Sequence, residues 1–172
     1  MLHFLSIFLP LFPLMLIAQS DLLNHIIPDQ FLFAAGLCSI PGFLLDASGK
    51  SLWFAYSPSH IQILIRLGAG ILSGLILFSL CWFFSKISTK EILGMGDIKL
   101  FSVCGFITGA YGIIFILLGT FICGCAASLV MLFQKHKEKR YIAYGPFLSI
   151  SAIAFSLFEI PIYQFCQMHY LL

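Results

Sequence analysis

Charge is what this sequence lacks. Of its 172 residues only 9% are Asp, Glu, Lys or Arg, against 60% hydrophobic, where a water-soluble domain carries about a quarter charged. From Leu100 to Gln134 there is no charged side chain at all. With a mean hydropathy of +1.04 the chain cannot cover a water-facing surface. That excludes an ordinary soluble domain, and the solvent must be largely lipid. The net charge of +2 is too small to mark a nucleic-acid footprint. No Lys or Arg occurs in residues 1–20, so the basic n-region of a secretory signal is missing and the stretch reads as a retained first span. No CxxC pair accompanies the six cysteines, and Cys123-Gly-Cys125 is too tight for an ordinary zinc half-site. The cysteines read as small apolar filler between helices.

What is present is a series of apolar runs. About 20 apolar residues cross the hydrocarbon core of a bilayer. On that ruler the sequence predicts spans at 3–19, 30–46, 60–84, 98–112, 113–134 and 146–168. The expectation is an all-α, polytopic membrane protein with about six transmembrane helices, in a single membrane-embedded domain over residues 1–172. Pro10 and Pro13 predict a kink in the first span. The uncharged stretch 100–134 would be roughly 52 Å long as one helix, too long for a core of about 30 Å. It is expected to fold into a hairpin, and "GAYG" (109–112) offers the break.

Lys and Arg set the orientation. With the N-terminus outside, the inner loops 20–29, 85–97 and 135–145, with the adjoining Lys99, hold seven of the nine basic residues. The outer side keeps Lys50 and Arg66. The run "KHKEKR" (135–140) reads as a topology-setting cytoplasmic loop, and Trp53, Phe54 and Tyr56 as an outer aromatic belt.

Against this apolar background a few carboxylates stand out. In "KEILGMGDIKLF" (90–101) Asp97 follows Gly94 and Gly96 and precedes the fourth span. In "QSDLLNHIIPDQF" (19–31) Asp21 follows the first span. The topology, built from Lys and Arg alone, puts both at one boundary. Two carboxylates held close together cannot both ionise easily, so one keeps its proton. The ionised partner can then take a proton from water while the protonated one hydrogen-bonds a substrate carbonyl, which is the chemistry of peptide hydrolysis without a covalent intermediate. On the residues alone other readings stay open. Asp97 would also suit the first turn of a helix, where its charge meets the helix dipole, and Asp21 an ordinary interface.

Three strings resemble one family. "LGMGDIKL" (93–100) resembles the GxGD signature of the type IV prepilin peptidases, a family of membrane aspartic endopeptidases. "DLLNHIIPDQF" (21–31) is similar to the family's first aspartate segment, and "YGPFLSISA" (144–152) to its Gly-Pro-Phe start of a late span. The resemblance implies that Asp21 and Asp97 are the catalytic carboxylates and that Gly94 and Gly96 shape the loop. Pro28 and Asp29 would begin the second span, with Lys99, Gly145 and Pro146 in support. It further implies prepilin or pseudopilin substrates, whose short basic leader is cut at the cytoplasmic face of a bacterial inner membrane by activated water, with no metal or organic cofactor. Bifunctional members carry paired CxxC motifs in an N-terminal extension and also methylate the new N-terminus. Without CxxC this chain resembles a peptidase-only form, and no methyltransferase activity is expected.

Asp29 is expected to cap the second span and Lys99 to snorkel to the interface. Glu159, within "LFEIPIY", is expected near the outer end in a structural role, with Arg66 as one possible partner. Two other classes of function remain to be weighed. One is a small ion or proton-coupled transporter, which calls for midplane carboxylates and often symmetric halves. The other is a non-enzymatic partner in pilus or secretion assembly.

Overall fold

A computed structural model describes residues 2–48, 58–87, 94–133 and 144–170. All regular structure among them is helical: α1 (Leu2–Phe8), α2 (Leu11–Asn24), α3 (Asp29–Leu37), α4 (Ile40–Ala47), α5 (Ser59–Ile87), α6 (Met95–Phe133) and α7 (Gly145–Tyr170). Four stretches are long and apolar enough to cross a bilayer: Leu5–Asn24, Asp29–Ala47, Ser59–Phe83 and Met95–Val130. Gly145–Glu159 is a shorter apolar helix. Large apolar side chains point outward along these elements, among them Phe33, Leu64, Trp82, Phe121 and Ile122. This is the surface of a polytopic membrane protein, in which lipid replaces water around the bundle. The positions of Trp53, Phe54, Tyr56 and the 135–140 run lie outside the described residues.

The first expected span is broken between α1 and α2 at Leu9–Pro10, where the proline ring opposes a continuous helix; Pro13 sits harmlessly in the first turn of α2. The second expected span is also two helices, which the sequence reading did not anticipate. α3 stops at Leu37, and α4 restarts at Ile40 with Pro41 in its first turn, a position that tolerates a missing N–H.

Met95–Phe133 holds two helices that meet at a kink, where Gly109 has φ 72° and ψ −170°. That backbone is open to glycine and costly for any other residue, and it divides α6 into a first limb (95–108) and a second (110–133). Packing shows the chain reversing there. The first limb runs antiparallel to α5: Arg66 meets Ile107, Gly70 meets Phe106, and Gly74 meets Ser102. The second limb runs antiparallel to α7: Gly112 meets Phe155, Thr120 meets Ser151, and Gly124 meets Tyr144. Since α7 begins beside the start of α6, the second limb returns towards the end from which the first set out. The hairpin expected from length alone is therefore present, turning at the first glycine of "GAYG".

Small residues bring α5 and the first limb close. Ser102 Oγ donates to the Gly70 carbonyl at 2.7 Å and Ser73 Oγ to the same carbonyl at 3.0 Å. A Cβ on Gly105 would lie 2.9 Å from the Ala69 carbonyl oxygen. In lipid, such contacts and dispersion hold helices together where the hydrophobic effect cannot. The first limb is central: Leu100, Phe101, Cys104 and Ile107 share a core with Leu14 and Ile17 of α2, Leu32 and Ala35 of α3, Ile116 of the second limb, and Leu148 and Ala152 of α7.

Where the first limb ends, its last carbonyls need donors. Arg66 supplies them: Nη1 donates to the carbonyls of Ile107 at 2.7 Å and Phe106 at 3.3 Å. Its Nε donates to Asp46 Oδ2 at 2.5 Å, and its guanidinium lies 5.9 Å from the Phe43 ring centroid. Asp46 is only 2% exposed. Arg66 is thus paired with Asp46 at the end of α4. A lone arginine inside a span asks for an acid, and the packing of α4 on α5 supplies Asp46.

Candidate active site

Asp21 lies one turn before the end of α2, which stops at Asn24. The stop is made by His25, whose φ of 53° and ψ of 33° place it in the left-handed region, its amide donating to the Asp21 carbonyl at 3.0 Å. Histidine is among the non-glycine residues that tolerate this cap. Ser20 Oγ then donates to the Ile26 carbonyl at 3.0 Å, and Pro28 (φ −68°, ψ 130°) turns the chain into α3. The result is a short, pinned connection from Asp21 to Asp29.

The Asp21 side chain is buried, and its Oδ2 has no hydrogen-bond partner of good geometry among the described residues. The first residue of α7, Gly145, stands directly against it. A Cβ at 145 would lie 2.5 Å from Asp21 Oδ2, closer than real Cβ contacts permit, and 3.1 Å from Cγ. Glycine is there so that the start of α7 can approach the carboxylate. Pro146 follows in the first helical turn, where its missing N–H is harmless.

Asp97 is in the first turn of α6, its amide donating to the Gly94 carbonyl at 3.1 Å. It is half-buried, and the helix dipole favours a negative charge there. Gly96, before it, packs against Ile27: a Cβ on Gly96 would lie 3.2 Å from Ile27 Cβ. The same Ile27 reaches Gly145 from the other side, its Cδ1 3.1 Å from where a Cβ there would be. Asp21, Gly145, Ile27, Gly96 and Asp97 therefore form one contiguous patch. The two carboxylates, distant in sequence, lie within electrostatic reach of each other.

Asp29 does not cap α3. Pro28 holds the N-cap position, and Asp29 is the first helical residue. Its carboxylate accepts from Lys99 Nζ at 2.8 Å, with side chains 76% and 50% exposed respectively. The amine expected to snorkel alone thus ties α6 to the start of α3, though an exposed pair of this kind contributes only about 0–1 kcal/mol. Two neighbours escaped the sequence reading. Cys81 of α5 lies within electrostatic reach of Asp97, and nothing in its spacing pointed there. Ile27 is one apolar residue in an apolar chain and carried no signal.

Residues 7–129 match the family described as "Type IV leader peptidase family". That stretch is well over half of the chain and contains both aspartates. The chain belongs to the type IV leader peptidase family. Among curated proteins it is similar to the "Prepilin leader peptidase/N-methyltransferase" of Xanthomonas campestris pv. campestris, 30% identical over 139 residues, which cover 79% of this chain and 44% of that protein. It is also similar to the protein of the same name from Aeromonas hydrophila, 32% identical over 84 residues, covering 48% of this chain and 29% of that one. The chain spans less than half the length of these curated relatives. No solved structure matches it. In leader peptidase terms, the "GMGD" loop and the first aspartate segment come together, and the "YGPF" string supplies the glycine that closes on Asp21.

Proposed function

We propose that this leader peptidase family member is an aspartic endopeptidase that removes the basic leader from type IV prepilins or pseudopilins at the cytoplasmic face of a bacterial inner membrane, with Asp21 and Asp97 as its water-activating pair. The observation that carries this reading is that Asp21 and Asp97, from elements far apart in sequence, border one patch built around Gly145, Ile27 and Gly96 at one end of a charge-poor bundle. Neither aspartate sits at the middle of its helix, as an ion-coupled transporter would require.

In the proposed reaction one carboxylate is ionised and the other protonated. The ionised group takes a proton from water as the water oxygen attacks the scissile carbonyl carbon. The protonated group donates to the carbonyl oxygen as it gains charge. Collapse of the tetrahedral intermediate breaks the C–N bond, and the amine leaves with a proton from the dyad. The products are a leader ending in a carboxylate and a mature chain beginning with a free amine. Beside the site, an apolar groove of about 290 Å³ runs between α5, the second limb of α6 and α7, lined by Leu77, Phe121, Tyr144 and Leu148 among others. It would suit the apolar segment that follows a prepilin leader. Methyl transfer is not part of the proposal for this chain, which holds no CxxC pair.

The test is co-expression of a prepilin with wild type, Asp21→Asn or Asp97→Asn, following the leader by gel shift and the enzymes by membrane insertion. Loss of the leader with wild type, and its retention with both inserted variants, is the expected result. Cutting at the wild-type rate by either variant overturns the dyad. Methyl transfer from S-adenosylmethionine to the new N-terminus by the purified chain would overturn the peptidase-only reading.

A further inference from the structure

We propose that Ser149 of α7 is a positioning residue, whose hydroxyl holds the Asp21 carboxylate in place through one internal water. The inference rests on the peptidase reading above and goes beyond it by naming a residue that orients one member of the pair.

Hydroxyls elsewhere in the bundle bond back to their own helix. Ser73, Ser79 and Ser85 of α5 each donate to a carbonyl three residues back, and Thr108, Thr120 and Ser128 of α6 to one four residues back. That local bond is the ordinary way for a serine or threonine inside a helix to satisfy itself. Ser149 is 0% exposed, yet its Oγ makes no such bond and has no other hydrogen-bond partner among the described residues. Buried polar side chains are nearly always bonded. This hydroxyl is therefore held for a partner across a helix interface.

Its position on α7 identifies that partner. Ser149 follows Gly145 by four residues and precedes Ala152 by three, so the three share one face of the helix. Gly145 abuts Asp21, and Ala152 packs in a core with Leu14 and Ile17, which turns this face towards α2. Ser151 and Phe155 meet the second limb of α6 instead. The buried residues of α2 are Pro13, Leu14, Ile17 and Asp21, and of these only Asp21 has a polar side chain. Because Asp21 lies near the end of α2 and meets the start of α7, the two helices are antiparallel. Side chains on a helix lean towards its N-terminus, so the Asp21 carboxylate leans along α7 in the direction of Ser149. Its Oδ2, like Ser149 Oγ, is buried without a partner of good geometry among the described residues.

The spacing decides how the two oxygens join. Cβ atoms four residues apart on a helix are about 5–6 Å from each other, and a Cβ on Gly145 would lie 2.5 Å from Asp21 Oδ2. That separation suits one water, whose oxygen accepts from Ser149 and which donates to Oδ2. Such a bridge fixes the rotation of the carboxylate without taking a proton from it. With Oδ2 engaged, Oδ1 is left to take the proton from the attacking water.

The experiment uses the full chain in lipid vesicles with a cleavable prepilin, comparing wild type with Ser149→Ala, Ser149→Thr and Ser149→Val. Threonine and valine have the same shape, so crowding at this buried position is common to both and their difference reads the hydroxyl alone. We expect Ser149→Ala to lower kcat about 10-fold or more with KM within about twofold. Ser149→Thr should exceed Ser149→Val in kcat by a similar factor. Independently of turnover, the infrared carboxylate band that is lost in Asp21→Asn should shift in Ser149→Ala and stay near its wild-type place in Ser149→Thr. A wild-type kcat or an unmoved band in Ser149→Ala, or equal kcat for Ser149→Thr and Ser149→Val, overturns the positioning role while leaving the peptidase reading intact. A wild type that cuts no prepilin overturns both.

Discussion

At the start of the first limb of α6 Asp97 lies within electrostatic reach of Asp21 of α2, whose buried Oδ2 has no hydrogen-bond partner of good geometry among the described residues. At the far end of the same limb Arg66 is engaged on every side, by Asp46, by two backbone carbonyls and by the Phe43 ring. Both clusters are costly to bury, yet only one is made good by its surroundings. A satisfied cluster fixes geometry, whereas like charges near an orphaned buried oxygen mark a candidate functional site. In the proposed function the Arg66 end is construction and the Asp21 end is where the chemistry would run.

The sharpest way to test that division is to remove the carboxylates. Asp21→Asn and Asp97→Asn should each lower prepilin cleavage by roughly 10²–10⁴-fold, while the melting temperature in detergent stays level or rises because a repulsion is gone. A large fall in melting temperature in either variant would blur the division. At the other end the pattern should invert. Asp46→Leu or Arg66→Met alone leaves a buried charge unpaired and should destabilise by about 3–5 kcal/mol. The double variant Asp46→Leu/Arg66→Met should recover much of that loss, and cleavage per folded molecule should stay near wild type throughout. Calorimetry and thermal melts of the four proteins would check it; a double variant as unstable as the worse single one would contradict it.

The pairing that separates the two ends was only partly readable from sequence. The bundle's helices followed from apolar length, and the α6 hairpin from a run too long for one crossing. The aspartate pair followed from two scarce charges falling at one boundary. The break at Leu37–Ile40 was not readable, because Ser39 and Pro41 fit within an apolar run as well as at its interruption. Asp46 with Arg66, and Asp29 with Lys99, depend on which faces meet, and spacing along the chain does not encode that. Ile27 was invisible for a simpler reason: it packs against Gly96 and Gly145, which have no side chains to signal a contact.

Smaller effects sharpen the comparison further. Gly145→Ala pushes a Cβ against the Asp21 carboxylate. Because a displacement of about 1 Å can cost 10²-fold in rate, cleavage should fall by about 10–100-fold with little change in melting temperature. A loss of folding without a selective loss of rate would instead mark Gly145 as structural. Smallest of all, Lys99→Met should change stability by less than about 1 kcal/mol and cleavage by less than about threefold, since its pair with Asp29 is open to solvent. A cleavage loss as large as that of Asp97→Asn would move Lys99 into the reacting group.

The reversal at Gly109 has a consequence for the membrane itself. Residues 95–108 rise about 21 Å as a helix, several ångströms less than the hydrocarbon core they must occupy, about 30 Å thick. A bilayer meets so short a limb by thinning around it or by letting water descend to its ends. Asp97 stands at one of those ends, and the proposed hydrolysis would need water beside a bond whose flanking helix lies in lipid. A limb that stops short would make the bilayer shallow where that proposed chemistry needs water.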